Sequence, residues 1–460
     1  MRTRKIYGGL LMAAAALLCL AGCKKENEGR NVTLKVAFEQ TAGQKMYLGP
    51  GNAVYWHNDE AVNVNGYDTC KVINGLVSVP EAASYAAVYP ATGSVTSEGG
   101  SVTIPRVQHY KAIDGQQQIE APMAAYLDAG SGVLMFRNLA SLMRIRVINP
   151  SATENLTLKS VTLMAGTRPL SGTYTFTFDG NTNSGMPSGS ITADGKTYAT
   201  LTFDKEETIE PNGEKTYFLV VAPFSNETHL TVLIRDEQNI YTKQSSETAY
   251  ELKRSAIGSV SADLSLMASH EYVDLGLGTF WATCNVGATA PEGDGDLFAW
   301  GETETKTSYW WSTYKWGTSS TSLTKYYDGD GKTVLEPEDD AATVHWGRGW
   351  HTPTNGEITE LASTDNCSFE YVDQGGKNGL KITGKSTGKQ IFLPAVVGIN
   401  RKLAESDPEN VYYAYWGSTG QPGQYAYGAG AFHFNLNAAT VKEARSRYAG
   451  LSVRPVCTIY

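Results

Sequence analysis

The sequence is poor in cysteine, and its cysteines show no metal-binding spacing. Six occur in 460 residues, and two of these, Cys19 and Cys23, fall close to the N-terminus. The other four are Cys70, Cys284, Cys367 and Cys457. They form no Cys-x-x-Cys pair, which excludes the common thiolate zinc sites. A disulfide among the last three cysteines and free buried thiols both stay open as alternatives.

Basic blocks and catalytic motifs are lacking as well. The net charge is -9 and the isoelectric point is near 5.4, and beyond the first residues no basic block occurs, so nucleic acid is not an expected partner. No Gly-x-Ser-x-Gly, His-Glu-x-x-His or phosphate-loop pattern is found. We therefore expect neither enzyme activity nor a cofactor.

No apolar run reaches the roughly 20 residues that a membrane-spanning helix needs. The longest run, from Leu10 to Leu20, follows a basic start and ends in Ala21-Gly22-Cys23. This order predicts a signal peptide over residues 1–22. The site resembles the bacterial lipobox, which implies a lipid on Cys23, with an incidental cysteine after a cleaved signal as the alternative.

A short acidic stretch follows the predicted lipid. Residues 23–30 are expected to be a linker, and Lys24 to Glu28 resembles the surface-export signal of Bacteroides-type lipoproteins. The resemblance implies that the protein lies on the outer face of the outer membrane and is anchored there by the lipid.

From residue 31 to residue 266 the sequence consists of short alternating runs separated by Gly, Asn, Asp, Ser and Pro. Such runs predict β-strands with one buried face. Examples are Val32 to Phe38, Ala86 to Tyr89, Met143 to Val147, Tyr217 to Val221 and Leu230 to Ile234. A break near Asn149-Pro150-Ser151 predicts two β-sandwiches, over residues 31–150 and 151–266.

An ordered series of short motifs resembles the fimbrillin-like proteins of Bacteroides and Porphyromonas. The motifs are Trp56 with Asp59, Ala61 to Val64, Ala87 to Pro90, Ile104-Pro105 with Gln108, Ala121 to Ala124, Phe136 to Leu139 and Leu170 to Gly172. The resemblance implies two tandem transthyretin-like sandwiches that polymerise into type V pili, with other pilus subunits as partners. It also implies that an N-terminal strand is cut away after a basic residue and replaced by a neighbour's strand. Arg30, Lys35 and Lys45 are the candidate cut sites, with ordinary surface side chains as the alternative.

Aromatic content rises after Ser265, and eight of the nine tryptophans lie beyond residue 270. The motifs of residues 271–460 include Trp281 to Ala288, Leu297 to Thr303, Trp350 to Leu361, Ile391 to Ala395, Tyr415 to Ser418 and Ser452 to Val456. They are similar to the Fibrobacter succinogenes major paralogous domain. This resemblance implies an α+β, C-type-lectin-like fold related to formylglycine-generating enzymes.

Two departures from that family affect its expected chemistry. His351 and Thr352 stand where Arg and Leu are usual, and residues 428–454 lack the cysteine pair of formylglycine-generating enzymes. Enzyme activity of that type is therefore not expected. Thr354 and Glu357 form a capping-box pattern, which predicts a helix over Asn355 to Ala362.

Two acidic turns, Glu292 to Asp296 and Asp328 to Lys332, have oxygen ligands at the short spacing that calcium favours. Both lack the downstream glutamate of an EF-hand, and Asp-Gly turn chemistry explains them without a metal. The acidic run Glu336 to Asp340 is expected to cap the element after it.

Aromatic residues in a polar loop are the candidate ligand contacts, because rings bury large area at small entropic cost. They are Trp310, Trp311, Tyr314 and Trp316. The two family resemblances together imply a pilus subunit, specifically a tip adhesin whose C-terminal domain binds a host or bacterial surface glycan or protein. The alternatives are a free-standing surface glycan-binding lipoprotein and, less favoured, a formylglycine-generating-type enzyme.

Overall fold

The structure is a computed structural model that describes residues 30–39, 60–113, 115–128, 132–178, 187–227, 229–244, 249–399, 413–421, 428–435 and 439–458. The predicted signal peptide, Cys23, Lys45 and Trp56 lie outside these ranges. The described chain is mainly β, which confirms the predicted fold class. Within it, no helix combines the length and the apolar character needed to cross a bilayer.

Twelve described strands lie between residues 31 and 138. They are β1 (Asn31–Phe38), β2 (Glu60–Val64), β3 (Tyr67–Ile73), β4 (Leu76–Pro80), β5 (Ser84–Tyr89), β6 (Ser94–Val95), β7 (Gly99–Ile104), β8 (Val107–His109), β9 (Ala112–Ile113), β10 (Gln116–Gln117), β11 (Met123–Asp128) and β12 (Val133–Asn138). Seven of them form a closed barrel in the order β1-β12-β11-β5-β2-β3-β4, and β4 pairs back to β1. Strand alternation turns Leu34 and Val36 of β1 into the barrel core and Lys35 to solvent.

The next strands continue to residue 263. They are β13 (Ser141–Ile148), β14 (Leu156–Met164), β15 (Gly172–Phe178), β16 (Pro187–Ile191), β17 (Tyr198–Ile209), β18 (Glu214–Val221), β19 (Phe224–Glu227), β20 (Thr231–Arg235), β21 (Asn239–Gln244), β22 (Tyr250–Leu252) and β23 (Ile257–Asp263). Strands from both sides of the predicted boundary near residue 150 share sheets, since β7 pairs with β15 and β8 pairs with β17. The division into two sandwiches stays a prediction.

Strand β5 shows why the two parts share a core. Its residues Tyr85 and Ala87 point into the barrel, whereas Ala86 and Val88 pack in a second core that also holds Phe176 of β15. A strand that is buried on both faces needs an unbroken apolar run, and Tyr85 to Tyr89 supplies one.

The described residues of the C-terminal part form short strands and two α-helices. They are β24 (Ala268–Val273), β25 (Thr279–Ala282), β26 (Leu297–Phe298), β27 (Gly317–Ser319), β28 (Ser322–Leu323), α1 (Ala341–Trp346), β29 (Trp350–His351), α2 (Asn355–Ala362), β30 (Cys367–Gln374), β31 (Lys377–Gly384), β32 (Gln390–Pro394), β33 (Tyr413–Gly420), β34 (Gly428–Phe434), β35 (Ala439–Ser446), β36 (Leu451–Ser452) and β37 (Val456–Thr458). The 3-10 turns are Leu264–Leu266, Trp311–Thr313 and Pro337–Asp339.

A continuous sheet joins the C-terminal part to the preceding strands. Its order is β29-β37-β25-β24-β21-β20-β14-β17-β8, so β24 links the two parts by pairing with both β21 and β25. The Tyr272 hydroxyl donates to the Asp236 carbonyl at 2.9 Å, and Thr242 Oγ1 donates to the Trp346 carbonyl at 2.9 Å. The junction is therefore a packed and hydrogen-bonded interface.

Helix α2 begins where the sequence predicts, directly after Thr354. Thr354 Oγ1 accepts the Glu357 N–H at 3.3 Å, and the Thr354 N–H donates to Glu357 Oε2 at 2.7 Å. This reciprocal pair satisfies two N–H groups that the first helical turn leaves without partners. Ile358 and Leu361 then lie on one helix face and are fully buried.

Candidate functional site

Strand β1 closes the barrel and differs from its neighbours in how it pairs. Its first half is antiparallel to β4, and its second half, from Lys35 to Phe38, is parallel to β12. Strands β4 and β12 flank it, so its loss would leave both with an unpaired edge. It would also uncover the barrel core beside Leu34 and Val36. We call the space that β1 fills between β4 and β12 the first-strand groove.

Two arginines hold the residue that follows β1. The Glu39 carboxylate lies 2.6 Å from Nη1 of Arg254 and 3.5 Å from Nη1 of Arg137, and its side chain is only 6% exposed. Glu39 Oε1 also accepts the Asn138 N–H at 3.1 Å. Hydrogen bonds between charged groups in such partly buried surroundings are stronger than those of exposed ion pairs. Glu39 therefore fixes the C-terminal end of β1.

The candidate cut sites have different relations to β1. Arg30 is exposed and directly precedes β1, so a cut after it would leave the strand attached. Lys35 is exposed in the middle of β1, and its N–H donates to the Gly132 carbonyl at 3.1 Å. Lys45 lies outside the described residues, but it follows β1 in sequence. Of the three positions, only Lys45 would release the whole strand.

The aromatic loop, residues 308–316, carries the predicted ligand contacts. Trp310 is 47% exposed and stacks on Tyr448 with a centroid distance of 6.0 Å. Trp311 is half-buried and meets Tyr448 at 5.0 Å, with its ring inclined by 63°. Thr313 Oγ1 donates to the Ser308 carbonyl at 2.8 Å and holds the turn together. The fold thus brings Trp310 and Trp311 together on a common tyrosine.

The other two predicted contacts anchor the same loop. Tyr314 is buried and donates its hydroxyl to the Trp300 carbonyl at 2.9 Å, and burial raises the pKa of Tyr314. Trp316 Nε1 donates to the Gly301 carbonyl at 2.6 Å. The Lys315 ammonium lies 4.2 Å from the centre of the Trp316 ring. Trp310 is therefore the most exposed aromatic residue of the loop.

One carboxylate from each acidic turn, Asp294 and Asp330, binds groups of the protein. Asp330 accepts the N–H groups of Tyr326 at 2.5 Å and of Lys332 at 3.0 Å. Asp294 lies 2.5 Å from the Lys377 ammonium. In the part of the chain that the structure describes, no group of three or more His, Cys, Asp and Glu side chains is arranged to hold a metal.

His351 and Thr352, which depart from the formylglycine-generating pattern, form hydrogen bonds just before α2. His351 Nε2 lies 3.0 Å from Glu357 Oε1; although burial lowers the pKa of His351, this carboxylate raises it above its ordinary value. Thr352 Oγ1 donates to Asp340 Oδ1 at 2.7 Å. Asp340 also accepts the Ala342 N–H at 2.9 Å and so caps α1. The acidic run before α1 thus ends in a helix cap.

Three cysteines lie in the C-terminal part. Cys284, Cys367 and Cys457 are free thiols, so they form no disulfide with one another. Cys367 and Cys457 are buried, and Cys284 is partly buried. Burial raises the pKa of Cys457 to about 12, so its reactive thiolate form is suppressed at neutral pH.

Arg454, in the Ser452 to Val456 motif, is 1% exposed and binds several segments at once. Its guanidinium donates to Asn285 Oδ1 at 2.8 Å and to the carbonyls of Ala282 at 3.1 Å, Thr283 at 2.7 Å and Phe392 at 3.0 Å. This arginine links its own segment to the end of β25, to the loop after it and to β32. Its role is to hold the fold together.

Sequence reasoning did not identify Glu39, Arg137 or Arg254. Glu39 and Arg254 are 215 positions apart, and strand alternation shows which face a residue occupies but not its partner. The single signal was a carboxylate directly after an alternating strand that contains no other acidic residue.

No family model and no curated protein matches the chain. Among solved structures, a candidate cell adhesion protein from Bacteroides ovatus is 14% identical over 53% of this chain and 96% of that chain, with a TM-score of 0.32. A second candidate cell adhesion protein, from Bacteroides uniformis, is 10% identical over 53% and 98%, with a TM-score of 0.30. A fimbrial protein from Bacteroides ovatus is 9% identical over 94% and 100%, with a TM-score of 0.23.

Proposed function

We propose that the chain is a surface pilus subunit in which β1 occupies the place of a strand that another subunit supplies during assembly. The observation that carries this proposal is the geometry of β1, which closes the barrel between β4 and β12 by pairing with both. The chain segment between Glu39 and Glu60 connects it to the rest of the barrel. One cut in that segment would convert β1 from a covalent part of the barrel into an exchangeable strand.

The proposal includes a position at the tip of the fibre. Strand β23 pairs with β13, and only four residues separate it from β24, which is paired on both sides. Moving β23 into a neighbouring subunit would require breaking the pairs of β24 as well. The chain can then receive a strand, but donating β23 to a neighbour would cost a large amount of free energy. A subunit of this kind ends a fibre.

The C-terminal part would then present the ligand contact of the tip. Trp310 offers an exposed indole ring whose position is fixed by stacking on Tyr448, and rigid aromatic surfaces suit both sugar rings and protein partners. The proposal assigns no catalytic step. It retains delivery to the outer membrane by a lipid on Cys23, followed by proteolytic release.

Mass spectrometry of the mature N-terminus tests the proposal. A cut after Lys45 or another basic residue beyond Phe38 is the expected result, and antibody against the C-terminal part should label pilus ends. A lipid-bearing N-terminus at Cys23 on all surface molecules would instead favour the free-standing lipoprotein, which the exposed Trp310 also allows. Labelling along the shaft would refute the tip position alone.

A further inference from the structure

We propose that Arg137 and Arg254 form a recognition point for an acidic side chain at the end of the first-strand groove. The groove would select an incoming strand that carries a carboxylate at the place of Glu39. This inference rests on the proposed strand exchange and adds the chemistry of the partner strand. The partner is an extended segment of another subunit with a defined pattern of side chains.

The first part of that pattern follows from the burial of β1. Leu34 and Val36 are buried in the barrel core, whereas Thr33 and Lys35 are exposed. Val32 and Phe38, at the inner positions on either side, are partly buried against the same core. An incoming strand therefore needs apolar residues at the inner positions and tolerates any residue between them. This part of the pattern is common among strands and provides little selectivity.

The second part follows from the residue after β1. The Glu39 N–H donates to the Phe136 carbonyl at 2.9 Å, so the backbone alignment with β12 continues to this residue. The alignment places the carboxylate between Arg137, which belongs to β12, and Arg254, which lies between β22 and β23. The required order is thus apolar, any residue, apolar, any residue, apolar, then acidic, as in Leu34 to Glu39.

Charge explains why a neutral side chain would be a poor substitute at the last position. Both guanidinium groups contact one carboxylate, and both are less than 20% exposed. A strand without the carboxylate leaves two positive groups close together in partly buried surroundings, although Arg254 keeps its hydrogen bond to the Asn138 carbonyl at 2.7 Å. Glutamine has the shape of glutamate but cannot offset this charge.

The test uses the unprocessed chain, produced without the predicted signal peptide and with a specific protease sequence inserted after Lys45. After cleavage, labelled synthetic peptides that span residues 30–39 compete with the native strand, and fluorescence anisotropy follows their binding and release. Three peptides are compared: the native sequence, Glu39→Gln, and Lys35→Gln as the matched control of an exposed charge. We expect Glu39→Gln to dissociate at least about tenfold faster than the native peptide, because hydrogen bonds to charged groups are lost. Lys35→Gln should dissociate within about twofold of the native peptide, as expected for an exposed side chain.

An Arg254→Met protein supplies the second arm. In this variant the ratio between the Glu39→Gln and native peptide rates should fall to about threefold or less, as in a double-mutant cycle. The ratio is taken within one protein, so a general loss of stability does not imitate the result. Equal rates for the two peptides in the unmodified protein would overturn the carboxylate recognition alone. Failure of every peptide to enter the cleaved protein would refute the strand exchange itself.

Discussion

His270 lies at the junction between the C-terminal part and the preceding strands, and its burial predicts an acid-sensitive junction. Its ring stacks on Trp346 with a centroid distance of 3.8 Å and an interplanar angle of 2°. Burial lowers the pKa of His270 from its ordinary value of 6.5 to about 4. As pH falls below 6.5, the unfolded chain therefore binds this proton before the folded chain does. The neutral histidine contributes stability at neutral pH, and this contribution is lost as pH decreases towards 4.

The size of the effect follows from the difference in pKa. If the whole pKa difference between the folded and the unfolded chain is used, the free energy of unfolding falls by about 2.5 kcal/mol between pH 7 and about pH 4.5. The ring keeps some contact with solvent, so we expect a loss of about 1 to 2 kcal/mol. His270→Phe keeps a flat ring against Trp346 and removes the titration.

Urea denaturation of both proteins at several pH values measures this difference. Tryptophan fluorescence is a suitable signal because eight of nine tryptophans lie after residue 270. The His270→Phe protein should gain stability relative to the original protein as pH falls, whatever other groups titrate in both. If the free energies of unfolding of the two proteins changed in parallel with pH, the assigned effect of His270 would be refuted. A relative loss in the variant would mean that a charged imidazole gains more from stacking on indole than it loses by desolvation.

Two further substitutions test interactions that stabilise the C-terminal part, by the same denaturation assay. Thr354→Ala should lower the free energy of unfolding by about 1 to 2 kcal/mol because it removes the cap of α2. Thr359→Ala is its control, since that exposed hydroxyl donates to the Asn355 carbonyl within the helix and should have little effect. Arg454→Met should cost at least about 3 kcal/mol, because it leaves buried oxygens without donors. Arg454→Lys should restore part of the loss; an unchanged stability in the methionine variant would contradict the assigned role.

Local sequence signals predicted the local structure well. The helix over Asn355 to Ala362 and its capping box are confirmed, because both depend on residues within one turn. The predicted strand over Val32 to Phe38 is confirmed within Asn31–Phe38, since alternation between buried and exposed side chains is a local property. In both places the energetic cause lies within a few residues of its effect.

Long-range pairing could not be predicted from the same signals. The parallel ladder between β1 and β12 joins residues about a hundred positions apart, and the sequence of neither strand indicates its partner. The change in composition after Ser265 predicted a new module, but not that β24 would continue the sheet of the preceding strands. The aromatic loop shows a third limit. Sequence grouped Trp310 with Tyr314, whereas the fold exposes the first and buries the second.

The proposed strand exchange would affect β1 and β23, the first and the last strand before the C-terminal part, differently. At the first end, β1 is held by main-chain pairing, by two buried apolar side chains and by the Glu39 contacts, and one cut would make all of these reversible. At the other end, β23 continues through Leu264–Leu266 into β24, which the sheet fixes from both sides. Releasing β23 thus requires unfolding part of the junction at His270 and Trp346. Since reversible binding and local unfolding differ greatly in cost, we infer that exchange in this chain runs in one direction only.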